Sequence, residues 1–288
     1  METVNCIICD SDMNVPFIKI SDRFSSKVFQ VVKCKCNFKY LSPRPEFSEM
    51  DSYYKNDNYE PHRAQIKSFF DTLYRWVQKY SLKWKYAHIS KFIKSGSLLD
   101  IGGGGGEFCS YYQSKGWEVS LQDSNKKARS SAESNSITTF ASLSKIKNKQ
   151  FDLITLWHSL EHIHEIKKLF TEINKLINTD GLLVIAVPNQ GAPERKWFKG
   201  QWAPWDAPRH LYHFNYEQLS ILLLKYGWTV QYSKTMLQDT PYNILLSLKS
   251  KSVMQMTRAA FILIYSMIRI SIGGVKSSSS FMVICQKN

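Results

Sequence analysis

Apolar and polar residues alternate along this chain with two different periods, and the change of period marks the predicted elements. Between residues 61 and 94, apolar and aromatic side chains recur at helical spacing, with Pro61 near the start and Gly96 past the end. From residue 97 onward, short apolar runs alternate with helical patterns, which indicates a mostly parallel sheet covered by helices on both faces. The seven predicted strands are residues 97–101, 117–122, 137–140, 151–156, 182–187, 228–232 and 281–286.

The same patterns divide the chain into three predicted parts. Residues 1–60 form a small module that carries four of the six cysteines and short β-prone runs. Residues 61–96 form a helical linker or lid, and residues 97–288 form the α/β domain. Within that domain, the apolar residues from about 241 to 275 contain few acidic groups and predict an insertion of helices before the last strand.

The charge of the chain restricts its partners. There are 38 Lys and Arg against 24 Asp and Glu, a formal net charge of +14, so anionic partners are attracted at long range. Nucleic acid, a nucleotide-sugar, a phosphorylated glycan and an anionic membrane surface all satisfy this requirement. The basic residues are spread along the chain, which is typical of solvated helix faces.

Neither a signal peptide nor a membrane-spanning segment is predicted. Met1 is followed by Glu2 and not by an apolar run. The longest apolar stretch, residues 259–268 between Arg258 and Arg269, is shorter than the roughly 20 residues needed to cross a bilayer. We expect a cytoplasmic protein in which this stretch forms a core helix or lies at a membrane interface.

Candidate chemistry begins at the end of the first predicted strand, where residues 98–108 run Leu-Leu-Asp-Ile-Gly-Gly-Gly-Gly-Gly-Glu-Phe. Glycines let backbone N–H groups approach a ligand closely, and a helix that begins near Glu107 adds a partly positive N-terminus. A dinucleotide fingerprint needs G-x-G-x-x-G or a final Ala, and it is excluded because the frames that start at Gly102, Gly103 and Gly104 end on Glu, Phe and Cys. A phosphate-binding P-loop is excluded because no Gly-Lys-Ser/Thr follows. The turn therefore predicts a nucleotide-cofactor site of another kind.

A second acidic residue supports this interpretation. Asp123 ends the second predicted strand, about 20 residues after Gly102, which is the distance at which an acid binds ribose hydroxyls in βαβ units. The alternative is that Asp123 only caps the helix that begins near Ser124. The preceding glycine turn favours ribose binding.

The D-x-G-x-G-x-G pattern from Asp100 to Gly106 resembles motif I of the class I S-adenosylmethionine-dependent methyltransferases. One subgroup of that family is similar in three further places: a W-H-x-L-E-H run within residues 151–162, a helix, turn and strand at residues 178–189, and a P-R-H-L segment at residues 207–214. The resemblance covers most of the predicted α/β domain. It implies a Rossmann-like sheet of seven strands, S-adenosylmethionine as the cofactor and methyl transfer as the activity.

Carried over residue by residue, the resemblance implies a set of cofactor contacts. The acid and the alternate glycines of motif I line the methionine part, Asp123 binds the ribose, and residues after the third strand flank the adenine. Trp157 and His158 close over the adenosine and the methionine carboxylate. The acid that often follows the third strand to receive the adenine amine is missing from residues 141–144. The implied cofactor-binding residues are Asp100, Gly102, Gly104, Gly106, Asp123, Ser142, Leu143, Trp157 and His158.

Methyl transfer from a sulfonium needs alignment and a water-poor pocket, and a carbon or hydroxyl acceptor also needs a general base. Several histidines lie at or after predicted strand ends, where open α/β sheets bind ligands, although for any single one a structural role is the simpler interpretation. His210 is the first candidate base, because it lies in a Trp-rich loop beside Asp206, and His158 is the second. The candidate acceptor-binding residues are Arg209, Trp202, Tyr54 and Tyr59, of which Arg209 suits an anionic group through paired hydrogen bonds.

The N-terminal cysteines have the spacing of a metal site. Cys6-x-x-Cys9 and Cys34-x-Cys36 supply four thiolates, enough for a closed tetrahedral zinc site. The resembling subgroup often carries such a knuckle, usually with C-x-x-C-G as the second pair. Here the second pair is one residue shorter and Asn37 replaces the glycine. We expect a structural zinc, with free buried cysteines as the alternative.

The sequence is compatible with three functions. The first is methyl transfer to a small-molecule acceptor, a sugar, a nucleotide-sugar or a polysaccharide or secondary-product intermediate, as the resembling subgroup implies. The second is an RNA methyltransferase that uses its charge on a phosphate backbone, although the chain lacks a dense basic stripe and an Asn/Asp-Pro-Pro-Tyr motif after the fourth strand. The third is a non-catalytic cofactor-binding module that uses the apolar residues 243–272 to bind a partner or a membrane.

Overall fold

The computed structural model describes residues 1–25, 27–54, 69–250 and 252–288. Tyr59 and the first part of the predicted helical linker lie outside these ranges. The chain forms two compact units. Unit 1 consists of Met1–Tyr59, Leu160–Ile166 and Ala186–Val283, and unit 2 consists of Glu60–Ser159, Lys167–Ile185 and Ile284–Asn288.

Strands and helices follow one another through the described residues largely as the periodicity predicts. The strands are β1 (Asn14–Ser21), β2 (Val28–Cys34), β3 (Lys39–Leu41), β4 (Ser97–Ile101), β5 (Glu118–Gln122), β6 (Thr138–Phe140), β7 (Phe151–Trp157), β8 (Ile177–Pro188), β9 (Tyr212–His213), β10 (Trp228–Thr235) and β11 (Ser280–Lys287). The helices are α1 (Asp51–Tyr54), α2 (Phe69–Ile89), α3 (Glu107–Gln113), α4 (Lys126–Glu133), α5 (Ile166–Leu176), α6 (Glu194–Phe198), α7 (Tyr216–Lys225), α8 (Asp239–Leu246) and α9 (Val253–Gly273).

Seven of these strands form one sheet in the order β10-β11-β8-β7-β4-β5-β6, which confirms the predicted α/β fold. β4 pairs in parallel with both β5 and β7. The chain order of the strands therefore reverses at β4, and the loop after β4 lies at the edge where open α/β sheets bind ligands. β8 begins at Ile177, earlier than predicted, because the chain passes from α5 into the strand without a separate turn.

Unit 1 contains a second sheet, with four strands in the order β1-β2-β3-β9. The pairing of β3 with β9 is antiparallel and joins Lys39 to His213 and Tyr40 to Tyr212. Periodicity does not predict β9, because two residues are too few to show an alternation. This pairing explains why the cysteine-bearing residues and the P-R-H-L segment belong to one compact unit.

The helical insertion between β10 and β11 consists of α8 and α9. The apolar run at residues 259–268 is the middle of α9, which has 21 residues and is therefore about 31 Å long. Among the described residues, one helical segment, Val253–Ser277, is long and apolar enough to cross a membrane by length and composition.

Candidate active site

The loop between β4 and α3, residues 102–106, is here called the glycine loop. Gly102, Gly104 and Gly106 have φ angles of 72°, 56° and 86°, the left-handed region that glycine adopts without steric cost. A Cβ on Gly102 would lie 2.7 Å from the Cβ of Ser159. The alternate glycines of motif I are thus required by the shape of this turn, which brings backbone N–H groups to the carboxyl end of β4.

Asp100 lies buried near the end of β4. The hydroxyl of Thr155 donates a hydrogen bond to its Oδ1 over 2.6 Å. Burial raises the pKa of Asp100 to about 7, while the hydrogen bond from Thr155 acts in the opposite direction. A carboxyl group with a pKa near neutrality ionises readily when a cation approaches, so Asp100 fits the ammonium group of a bound amino-acid-like ligand.

Asp123, at the end of β5, holds the glycine loop in place. Its Oδ2 accepts a hydrogen bond from the Gly104 N–H at 3.0 Å, and its Oδ1 accepts one from the Asn125 N–H at 2.8 Å. The N-cap of α4 is Asn125, whose side chain accepts from the N–H groups of Lys127 and Ala128. Asp123 is therefore not the helix cap, and each of its oxygens keeps a lone pair for a ribose hydroxyl.

The residues after β6 are polar without being acidic. The hydroxyl oxygens of Ser142 and Ser144 lie 3.1 Å apart, and Leu143 begins a short 3-10 turn. Ser142 and Leu143 are both half-buried. An adenine ring at this place would meet hydroxyl and backbone groups but no carboxylate from these residues.

β7 ends at Trp157, whose ring packs on Phe108 with 5.2 Å between ring centroids. The Nζ of Lys85, from α2, lies 4.0 Å from the centroid of the Trp157 ring. His158 follows with a φ of 52°, a conformation that is uncommon for a residue with a side chain and that clusters at functional sites. Sequence reasoning missed Lys85 because no linear pattern relates α2 to the end of β7. A cation here suits the carboxylate of a bound ligand.

In unit 1, Glu161, His162 and His210 form a group here called the histidine cluster. One carboxylate oxygen of Glu161 and one nitrogen of each imidazole lie within 4.8 Å of one another. The two imidazole rings meet edge to face with 4.7 Å between centroids. Glu161 is buried and, like His162, belongs to the 3-10 turn Leu160–His162.

In both imidazoles, Nδ1 lies within hydrogen-bond distance of a main-chain carbonyl. His210 Nδ1 lies 2.8 Å from the Pro204 oxygen, and His162 Nδ1 lies 3.0 Å from the Arg209 oxygen. Carbonyl oxygens only accept, so each Nδ1 carries a hydrogen. Burial, with a smaller effect of His210, lowers the pKa of His162 to about 4, and His162 is neutral at pH 7. The Tyr54 hydroxyl lies 3.1 Å from His162 Nδ1.

Arg209, expected to hold a substrate anion, is buried between two carboxylates of unit 1. Its guanidinium donates to Asp206 over 2.8 and 3.1 Å and to Asp22 over 2.7 Å. Burial alone would raise the pKa of Asp206, but the hydrogen bonds from Arg209 hold it below its ordinary value. The positive charge of Arg209 is thus balanced inside the protein, which is the position of a structural residue.

Trp202, also expected to contact the acceptor, is buried in unit 1. Its ring meets that of Trp205 edge to face with 5.4 Å between centroids. Tyr59, the remaining residue of that predicted set, lies outside the described residues. Of the four predicted acceptor contacts, Tyr54 brings its side chain to the histidine cluster, whereas Arg209 contacts the cluster through its main-chain oxygen.

The four N-terminal cysteines converge. Cys6 Sγ lies 3.5 Å from Cys36 Sγ, Cys9 Sγ lies 3.5 Å from Cys34 Sγ, and all four sulfurs lie within 4.8 Å of one another. Thiolates bound tetrahedrally to zinc at about 2.3 Å would be about 3.8 Å apart, so the group fits this metal. Asn37 has a φ of 67°, which Asn tolerates well, and its N–H donates to the Cys34 oxygen. Asn37 therefore replaces the usual glycine without loss of the turn.

Comparison with known proteins identifies the family. A sequence model of a methyltransferase domain matches residues 70–233, more than half of the chain. The Burkholderia thailandensis 1,6-didemethyltoxoflavin-N1-methyltransferase, solved with S-adenosylhomocysteine, is 15% identical with a TM-score of 0.54 over 95% of this chain and 99% of its own. The Synechocystis PCC 6803 magnesium protoporphyrin IX methyltransferase, also solved with S-adenosylhomocysteine, is 11% identical with a TM-score of 0.54 over 84% of this chain and 100% of its own.

Structural likeness at this level of identity shows a shared fold. No curated protein sequence matches the chain significantly. The matched domain and the seven-stranded sheet agree with each other and with the glycine loop that follows β4. The chain therefore belongs to the methyltransferase-domain family and is a class I methyltransferase that depends on S-adenosylmethionine.

Proposed function

We propose that the protein methylates a hydroxyl or carbon atom of a small anionic acceptor: a sugar, a nucleotide-sugar, or a polysaccharide or secondary-product intermediate. The histidine cluster is the observation that carries this proposal, because such an atom must lose a proton as it attacks, whereas a neutral amine attacks unaided. The net charge of +14 supports an anionic acceptor. The Burkholderia and Synechocystis enzymes, named for small-molecule acceptors, support a small acceptor over a macromolecular one.

In this proposal, unit 2 binds the cofactor, and each of its segments contacts a different part of that molecule. Asp100 pairs with the ammonium group of the cofactor, and the N–H groups of the glycine loop and Lys85 attract its carboxylate. Asp123 receives the ribose hydroxyls, while the Ser142 and Leu143 segment flanks the adenine. Trp157 and His158 cover the site and exclude water. S-adenosylmethionine, when bound, supplies a methyl group already activated by the positive charge of its sulfur.

At the acceptor end, His210 is the proposed general base. Its Nδ1–H is held by the Pro204 carbonyl, so its Nε2 receives the proton that the acceptor loses. The buried Glu161 carboxylate favours the imidazolium form of His210 once the proton has moved. His162 stays neutral and, together with Tyr54, fixes the position of the cluster, while His158 is the second candidate base.

We propose a structural zinc bound by Cys6, Cys9, Cys34 and Cys36. Four converging sulfurs in a small module favour zinc over free thiols, since zinc-bound thiolates stabilise modules too small for a core of their own. Metal analysis of the purified chain is expected to give about one zinc per chain. A Cys6→Ser, Cys34→Ser double variant should lose it, and a zinc-free wild-type protein that is fully folded would show that the cysteines are free.

An acceptor survey tests the activity. The protein is incubated with S-adenosylmethionine labelled in its methyl group and, in parallel, with total RNA, nucleotide-sugars and glycan extracts. We expect label in the nucleotide-sugar or glycan fraction. Label in RNA, with binding that weakens steeply as salt is added, would establish the RNA methyltransferase instead. Cofactor binding without transfer to any fraction would favour a non-catalytic module.

A further inference from the structure

Helix α9 is apolar on two opposite faces, and one of them is exposed. The inner stripe, Ala259, Ile262, Ser266 and Ile270, is buried in unit 1. The outer stripe repeats the same i, i+3, i+7, i+11 spacing and is here called the apolar face. Its residues Phe261, Ile264, Ile268 and Ile272 are 59%, 62%, 54% and 76% exposed.

The inner stripe fixes the helix along its length. Ser266 donates a hydrogen bond to the buried carboxylate of Glu194 over 3.3 Å. Beside the inner stripe, Trp197 of α6 meets the Tyr265 ring at 6.0 Å and the ring of Phe261, at the edge of the apolar face, at 5.7 Å. These contacts hold α9 against unit 1. A helix held in this way lies on a surface and does not cross a bilayer as the structure stands.

A continuous row of exposed apolar side chains indicates a surface that a binding partner covers. Single exposed apolar residues are common, but contiguous patches mark sites that bind proteins or membranes. Leu245 and Leu246 of the neighbouring α8 are also exposed and extend the apolar character of the region. A partner that covers the apolar face would remove several apolar side chains from water at once, which stabilises the bound state.

The chain segment that carries the apolar face is basic. Residues 240–288 contain six Lys or Arg and no Asp or Glu. Arg258 and Arg269 belong to α9 itself, and Lys249 precedes the helix. Lys276, which follows the helix, pairs with Glu217 of α7 over 2.8 Å. An apolar stripe flanked by basic side chains is the pattern of a helix that lies in the headgroup region of an anionic membrane.

We propose that the apolar face of α9 docks unit 1 on an anionic membrane surface, with the helix in the plane of the headgroups. Phe261, Ile264, Ile268 and Ile272 enter the boundary between headgroups and acyl chains, and the flanking Lys and Arg meet lipid phosphates. A second copy of the chain fits less well, because an isologous dimer would bring two surfaces rich in basic side chains together. This inference does not depend on the identity of the acceptor.

Vesicle cosedimentation tests the proposal with the full chain. We expect binding to vesicles of mixed phosphatidylglycerol and phosphatidylcholine, and at least a tenfold weaker binding to phosphatidylcholine alone or at high salt. An Ile264→Ser, Ile268→Ser double variant should bind the anionic vesicles about 100-fold more weakly. Phe47→Ser, which removes a 72% exposed aromatic side chain elsewhere in unit 1, should bind as the wild type does.

Binding of S-adenosylhomocysteine and the melting temperature check that both variants remain folded. Equal binding to the two vesicle types, or unchanged binding by the double variant, would overturn the proposal. So would a wild-type dimer in analytical ultracentrifugation that the double variant converts to a monomer, because the apolar face would then be an interface between copies of the chain.

Discussion

The glycine loop of unit 2 depends on the shape of the main chain, whereas the histidine cluster of unit 1 depends on where side chains hold their protons. Three left-handed glycines and the Asp123 carboxylate define the first region. The second region is defined by two main-chain carbonyls, a buried carboxylate and the buried ion pair of Arg209, which precedes His210 in sequence. The first region should therefore be sensitive to any added Cβ, and the second to the loss of a single charge or hydrogen bond.

The largest expected effect comes from the ion pairs of Arg209, whose side chain is 0% exposed between Asp22 and Asp206. Arg209→Met leaves two buried carboxylates without their partner and should lower the free energy of unfolding by about 3–5 kcal/mol. Chemical denaturation measures this. Lys225→Met breaks the exposed pair with Asp10 and should cost less than about 1 kcal/mol.

An Arg209→Met protein with wild-type stability and a raised KM for the acceptor would contradict this view. Arg209 would then bind the substrate, as the sequence alone suggests, and the histidine cluster would lack the rigid support that the structure gives it.

The glycine loop should respond to one methyl group. Gly102→Ala adds a Cβ at 2.7 Å from the Ser159 Cβ, at a φ of +72°, and should weaken binding of S-adenosylhomocysteine on the order of 100-fold. Gly116→Ala is the matched control, because Gly116 has a similar φ of +83° but open space around the added atom. Calorimetric titration of both variants should show lost affinity in the first and unchanged affinity in the second. Equal affinities would mean that the loop does not bind the cofactor.

A smaller effect is expected from pH. The pKa of Asp100, about 7 without ligand, lies above its ordinary value, so the carboxyl is protonated below pH 7 and must release a proton to pair with an ammonium group. Affinity for S-adenosylhomocysteine should therefore fall about tenfold from pH 8 to pH 6. Asp100→Asn should bind more weakly and show little change over this range. A flat wild-type profile would place the cofactor ammonium away from Asp100.

The two regions also differ in how far the sequence predicts them. The seven-stranded sheet and the glycine loop follow from local patterns, because a strand, a tight turn and a helix each restrict neighbouring residues. The histidine cluster brings Glu161 and His162 close to His210. These residues are distant in sequence and meet through tertiary packing, which no short sequence pattern predicts. The sequence of its loop indicates His210, but it does not predict the ion pair of Arg209, because the buried partner Asp22 lies far away in sequence.

Three further features of the structure are not predicted by the sequence pattern, again because they depend on the fold. Lys85 reaches Trp157 from a helix that precedes the sheet, and the two-residue strand β9 has no periodicity to detect. Asn125, and not Asp123, caps α4, because both residue types are good caps and only the fold decides between them.

The role of His210 as the general base is tested most directly by measuring both methyl transfer and cofactor affinity in His210→Ala. Transfer of label to the accepting extract fraction should fall by about 10²–10⁴-fold, while the Kd for S-adenosylhomocysteine stays within about twofold of wild type. His88→Ala, which removes an imidazole with a similar Nδ1 contact to a main-chain carbonyl outside the cluster, should leave both quantities unchanged. Unchanged transfer in His210→Ala, or an equal loss of transfer and affinity, would contradict the role of His210 as the general base.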